Sequence, residues 1–182
     1  MTSSEWSSIL GIIAIPISVW RFQLHSRNAL LLSVLPLVVV ISLSYWLRGE
    51  YQGAVVAISS SLVAMAQAFL GMGKNKRHIL MRYSRILLSI MAMLCALIFV
   101  PPTSIITTLP FLAFIIAKWA DHYMNPFKMR ITILGATLLW GIYAGLTHNP
   151  EIMALEILTL ASNLWWLFKF RHTAQDMALV EH

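Results

Sequence analysis

Long apolar runs and short polar breaks alternate along the whole chain. The first run spans Trp6 to Phe22 and ends at His25-Ser26-Arg27-Asn28. The second spans Ala29 to Leu47 and ends at Arg48-Gly49-Glu50. The third, Tyr51 to Met72, meets a basic break with Lys74, Lys76, Arg77 and His78. The fourth runs from Leu80 to Val100, with Arg82 and Arg85 in its first turns, and stops at Pro101-Pro102. The fifth is Thr103 to Tyr123, followed by Asn125-Pro126-Phe127-Lys128. The sixth, Met129 to Leu146, stops at Thr147-His148-Asn149-Pro150, and the seventh is Glu151 to Phe170. A helix crossing a bilayer needs about 20 apolar residues. Each run is close to that length, so the pattern predicts seven transmembrane helices. Barrel strands would show short segments of alternating hydrophobicity instead.

Composition agrees with this reading. Hydrophobic residues make up 59% of the 182 and charged residues 11%, against about 25% charged in an ordinary soluble domain. Lipid solves the problem of where so much apolar surface can face. The net charge of +6 would suggest nucleic acid in a soluble protein, but here the basic residues are scattered at breaks and helix ends. No nucleic-acid partner is expected. Glu5 precedes the first run and Arg21 follows it, the reverse of a secretory signal, so the first run is expected to remain as a helix. The single cysteine, Cys95, excludes an intrachain disulfide.

The basic residues predict orientation. With the N-terminus outside, the inner ends and loops hold Arg21, Arg27, Lys74, Lys76, Arg77, Arg82, Arg85, Lys118, Lys128, Arg130, Lys169 and Arg171, and the outer loops hold Arg48 alone. Basic residues concentrate on the cytoplasmic side of membrane proteins. The expectation is therefore a multi-pass protein of the bacterial inner (cytoplasmic) membrane, with its N-terminus periplasmic and its C-terminus cytoplasmic.

Seven helices divide into two groups of three, of like direction, joined by the fourth. An offset of 97 brings Arg21 onto Lys118, Gln52 onto Asn149, Ala57 onto Ala154 and Ala64 onto Ala161. The expected organisation is a first three-helix repeat over residues 1–78, a linker helix over 79–102, a second repeat over 103–172 and a short cytoplasmic tail over 173–182. Parallel repeats of this kind occur in transporters, with the substrate site near mid-membrane between the halves.

Three stretches carry a resemblance to a known family: Gly11-Ile12-Ile13-Ala14, Arg48-Gly49-Glu50-Tyr51, and Ser162-Asn163-Leu164-Trp165-Trp166-Leu167-Phe168-Lys169-Phe170-Arg171. The chain resembles the YgjV-type bacterial inner-membrane proteins, grouped with the broader SWEET and PQ-loop proteins. The resemblance implies an all-α, polytopic membrane fold of seven transmembrane helices in a 3+1+3, SWEET-like arrangement. The Pro-Gln pair of the PQ-loop proteins is absent, since Ile17 follows Pro16 and Leu37 follows Pro36. Asn163 matches the seventh-helix member of the Asn pair that contacts sugar in SWEET proteins. The third helix offers Gln67 nearby, with Ala66 at the offset position.

Polar residues inside apolar runs are the candidates for function. Glu156 lies roughly five residues into the seventh run, about 6–9 Å from its outer end. Acidic residues at such depth usually face a cavity or a partner. Asn163, seven residues on, shares its face. Ser60 and Gln67 have the same spacing on the third run. Trp140 is the aromatic nearest the middle of the sixth. These five form the expected substrate site, with Glu156 as a substrate or proton carboxylate. Pro16, Pro36 and Pro110 interrupt helical hydrogen bonding and are expected hinges. Asp121 and His122 read as interfacial and solvated. The scattered histidines have no ligand spacing, so no metal or other cofactor is expected, and no nucleophile–base constellation suggests an enzyme.

The expected function is a small-molecule transporter working by alternating access between two three-helix bundles. The alternative is a membrane-embedded subunit or scaffold with no transport activity of its own. Expected partners are the lipid bilayer, an unknown small-molecule substrate, and a homo-oligomer or protein partner.

Overall fold

The computed structural model describes residues 2–21, 23–71, 78–121 and 125–170. The basic connection with Lys74, Lys76 and Arg77, the residues His122 and Arg171, and the expected tail over 173–182 lie outside the described residues. The described residues form eight helices: α1 Ser3–Arg21, α2 Arg27–Leu32, α3 Val34–Leu47, α4 Tyr51–Gly71, α5 His78–Phe99, α6 Ile105–Asp121, α7 Pro126–Leu146 and α8 Pro150–Lys169. Four segments are long and apolar enough to cross a membrane: Asn28–Leu47, Tyr51–Phe69, Phe127–Leu146 and Pro150–Lys169. Tyr83–Phe99 is apolar but shorter.

α2 and α3 make up one interrupted pass. The break falls at Ser33, three residues before Pro36. A proline in a helix removes the bond to the carbonyl four residues back and crowds that turn. Ser33 closes the end of α2 with its backbone N–H on Ala29 O (2.9 Å) and its hydroxyl on Leu30 O (2.9 Å). The sequence reading ran a single helix through this point; the proline divides it.

Two helices also begin earlier than expected, because Pro126 and Pro150 are helical. A proline is favoured in the first turn, where its missing N–H has no intrahelical partner to lose. Asn125 caps α7 by accepting from Phe127 N (2.8 Å), and Asn149 caps α8 by accepting from Ile152 N (3.3 Å). At the other ends, α3 and α7 stop in one motif. Glu50 N reaches back to Tyr45 O (2.9 Å) and Asn149 N to Ala144 O (2.8 Å). Gly49 (φ +80°) and His148 (φ +52°) supply the left-handed residue that such a stop requires.

Helix neighbours follow a closed order. α1 packs on α3, α3 on α4, α4 on α6, α6 on α7, α7 on α8, and α8 returns to α1; α5 lies mainly against α4. Successive passes alternate in direction. We call the upper face the one with Ser3, Arg48 and Asn149, and the lower face the one with Arg21, Asp121 and Lys169. Outward-facing side chains such as Ile12, Val39, Leu62, Leu138 and Ile157 are exposed and apolar, as lipid contact demands. Trp6, Trp46 and Trp119 are also exposed, in keeping with interfacial anchoring.

The α1–α8 seam depends on Gly11, where a Cβ would lie 2.6 Å from Glu151 Cβ. At Gly135 the nearest atom to such a Cβ is Ile116 Cγ2 at an ordinary 3.5 Å. Gly11→Val should therefore cost about 1–3 kcal/mol through overpacking. Gly135→Ala should be neutral or stabilising by up to about 1 kcal/mol, as helical glycine gives way to alanine. Unfolding of the two purified variants in detergent checks both signs.

Candidate functional site

The ring surrounds a partly open cavity of about 110 Å³ to which every ring helix contributes. Ser18 and Arg21 come from α1, Leu37 from α3 and Ser60 from α4. Lys118 and Asp121 come from α6, Trp140 from α7, and Glu156 and Thr159 from α8. Four ionisable groups thus share one interior space: two cations and two carboxylates.

Three of them have identifiable partners. Lys118 forms an ion pair with Asp121 one turn away and donates to Ser60 O across the α4–α6 contact (2.9 Å). Arg21 donates from Nε to Leu30 O (3.3 Å) and feels the charges of Asp121 and Glu156. Residues Arg21, Lys118 and Asp121 are at most 9% exposed. A charge this far from water persists only when paired and hydrogen-bonded, so these contacts are what allow the groups to sit inside the ring. Ser18 and Thr159 join α1 to α8 by a hydrogen bond between their hydroxyls.

Glu156 differs. Among the described residues it makes no direct hydrogen bond or ion pair, although Arg21 lies within its electrostatic reach. On its other side it borders an apolar crevice between α7 and α8, with Leu138, Ile142 and Ile157.

Above the cavity, Tyr45, Trp140 and Tyr143 pack into a lid. The Tyr45 ring lies 5.8 Å from that of Trp140 and 5.5 Å from that of Tyr143. Gly53 lets α4 approach, since a Cβ there would stand 2.9 Å from Tyr143 Cε1. Tyr143 Oη donates to Glu50 Oε2 (2.9 Å). Outside the aromatic layer, Arg48 binds Glu151 (2.7 Å), His148 O (3.2 Å) and Ser7 Oγ (2.8 Å), and Ser8 donates to Glu151 (2.5 Å). These contacts tie the first three passes to the last three at the upper face.

Of the five expected substrate residues, the cavity gathers Glu156, Trp140 and Ser60. It does not gather Gln67 or Asn163. Gln67 is fully buried against α5 and donates to Ser89 Oγ (3.3 Å). Asn163 is bound twice to Arg130, accepting from Nη1 (3.2 Å) and donating to the carbonyl (3.1 Å). Arg130 also donates to Leu24 O and stacks over Trp166 with Cζ 4.0 Å from the ring centre. Of the expected hinges, Pro36 adjoins the break at Ser33. Pro16 is exposed within an unbroken α1, and Pro110 is buried within an unbroken α6.

Arg21, Lys118 and Asp121 are site residues that the sequence reading did not select. Asp121 is buried, not solvated. The signal was present in the i, i+3 spacing of Lys118 and Asp121, which pairs opposite charges on one helix face, and in the offset that superimposes Arg21 on Lys118.

A family model for bacterial inner membrane proteins, Imp-YgjV, matches residues 5–174. The chain belongs to this family. No curated protein and no solved structure matches it. This YgjV-family protein is thus a protein of the bacterial inner membrane, with several helices apolar enough to cross it.

The Lys118–Asp121 pair gives a test of how the cavity charges are held. Removing one partner of a buried pair leaves the other uncompensated, for about 3–5 kcal/mol. Asp121→Ala should lower stability by about that much, and combining it with Lys118→Met should recover most of the loss. Unfolding of the single and double variants in detergent measures both.

Proposed function

We propose that this protein is a small-molecule transporter of the bacterial inner membrane that works by alternating access around the central cavity. The observation that carries the reading is the cavity itself: an interior space lined by all six ring helices and by four ionisable groups. Burying each such charge costs several kcal/mol, and ionisable groups inside membranes mark substrate, ion or proton pathways.

The order of the ring supports the 3+1+3 reading. With α1, α3 and α4 as one half and α6, α7 and α8 as the other, each contact in the first half has its counterpart in the second. α3–α4 corresponds to α7–α8, and α4–α6 to α8–α1. Arg21 and Lys118, matched by the sequence offset, both line the cavity from corresponding helices. Such repeats move as two bodies around a fixed central site. The contacts that would part on opening upward are Arg48–Glu151 and Tyr143–Glu50. On opening downward they would be Arg130–Leu24 and Gln23–Ser162 (2.9 Å). The bias of basic residues supports a cytoplasmic lower face.

Accessibility tests the reading without knowledge of the substrate. In a Cys95→Ser background, Ala57→Cys puts a thiol in the cavity wall. Membrane-impermeant thiol reagents should label it from both faces. Adding Glu151→Ala, which releases the upper latch, should shift the ratio of labelling rates toward the upper face by about tenfold, the population change given by 1.4 kcal/mol. Labelling from one face only, unmoved by Glu151→Ala, would contradict alternating access.

A further inference from the structure

We infer that the cavity's ligand is a small zwitterion, with its ammonium group on Glu156 and its carboxylate toward Lys118 and Arg21. The inference rests on the transporter reading and narrows its substrate class.

Size limits the choice first. A cavity of 150 Å³ in another protein holds a benzene molecule. The 110 Å³ here thus suits a solute of no more than about six heavy atoms. Charge limits it next. Arg21 and Lys118 exceed Asp121 by one positive charge, and Glu156, with no direct partner among the described residues, ionises only when a cation meets it. A zwitterion answers both at once, whereas a simple cation adds to the positive excess and a simple anion leaves Glu156 unmet.

The arrangement of the charges then selects among neutral ligands. Ser18 meets Thr159, Glu156 is three residues above Thr159 and Arg21 three residues below Ser18, so Arg21 lies about 9 Å below Glu156; Gly141 meets Glu156 and Gly135 meets Ile116, which puts Lys118 lower as well. Asp121 is beside Lys118. The unpartnered carboxyl therefore stands toward the upper end and one net positive charge toward the lower end. A zwitterion lies along this field with its ammonium upward.

The hydrogen-bonding groups match that pose. Glu156 has no direct partner among the described residues, and a carboxylate offers about four acceptor positions. Trp140, on the adjacent helix, lines the same space and presents an indole suited to an ammonium ion. At the other end, Lys118 has three N–H donors, of which Asp121 and Ser60 take two. The third is available to a ligand carboxylate. A neutral polyol would satisfy neither end with a charge-assisted bond.

Binding to the purified protein in detergent at neutral pH tests this with matched probes: alanine and β-alanine as zwitterions, ethylamine as the cation and propionate as the anion. The zwitterions should raise Tm in a saturable way, and ethylamine and propionate should not at equal concentration. Glu156→Gln should weaken zwitterion binding about tenfold or more, because a hydrogen bond to a charged group is lost. Propionate or ethylamine binding as tightly as alanine would overturn the inference. So would full affinity in Glu156→Gln, or no shift with either zwitterion. If Glu156→Gln does not fold, the ranking of the four probes on the wild-type protein decides alone. Labelling of the cavity from both faces without zwitterion binding would sink this inference and leave the transporter reading. Zwitterion binding with labelling from one face would do the reverse.

Discussion

The constraint on which this structure depends is that a bilayer offers a buried polar group no water. Backbone groups meet it by forming helices, which satisfy their own hydrogen bonds within one segment. Side chains meet it by turning inward. Arg21, Lys118, Asp121 and Arg130 are all buried, and each has a partner on a neighbouring helix or turn. Exposed positions on the same helices carry Ile, Leu and Trp. The ring thus presents an apolar exterior and keeps these four charges within.

The partnered charges also hold the helices in register. Lys118 joins α6 to α4 through the Ser60 carbonyl, and Arg130 with Asn163 joins α7 to α8. At the upper face, Arg48 gathers α1, the end of α7 and the start of α8 around the end of α3. Each link is short and directional, and each crosses a seam that packing of apolar side chains alone would leave free to slide. Glu156 stands apart because no such link engages it. A carboxyl group held in the cavity without a hydrogen-bond partner among the described residues contributes nothing evident to the register, which is why the proposed ligand site centres on it.

The passes were legible in the sequence because lipid imposes one rule along the whole run: about 20 apolar residues between polar breaks. The break at Ser33 was not, because nothing in hydropathy distinguishes a proline that bends a helix from one that divides it. The starts at Pro126 and Pro150 were blurred for a similar reason, since Asn-Pro reads as a turn and also as a cap followed by a first helical residue. Glu156, Trp140 and Ser60 reached the cavity as expected. Asn163 and Gln67 did not, although heptad spacing correctly put each on one face with a cavity residue. Spacing shows which side chains share a face but not whether their depth meets the open space or a neighbouring helix. Asn163 lies lower than Glu156, where Arg130 meets it. Asp121 was missed because its closeness to a helix end suggested water, whereas its partner Lys118 draws it inward.

In the proposed mechanism two three-helix halves move against each other around the cavity. Distances between spin labels at the two faces test it most directly. In a Cys95→Ser background, labels at Trp46 and Pro150 report the upper face, and labels at Gln23 and Lys169 the lower. The account predicts two distance populations at each face, with the Glu151→Ala substitution favouring the longer distance above and the shorter one below. A single narrow distance at both faces, unchanged by that substitution, would contradict it.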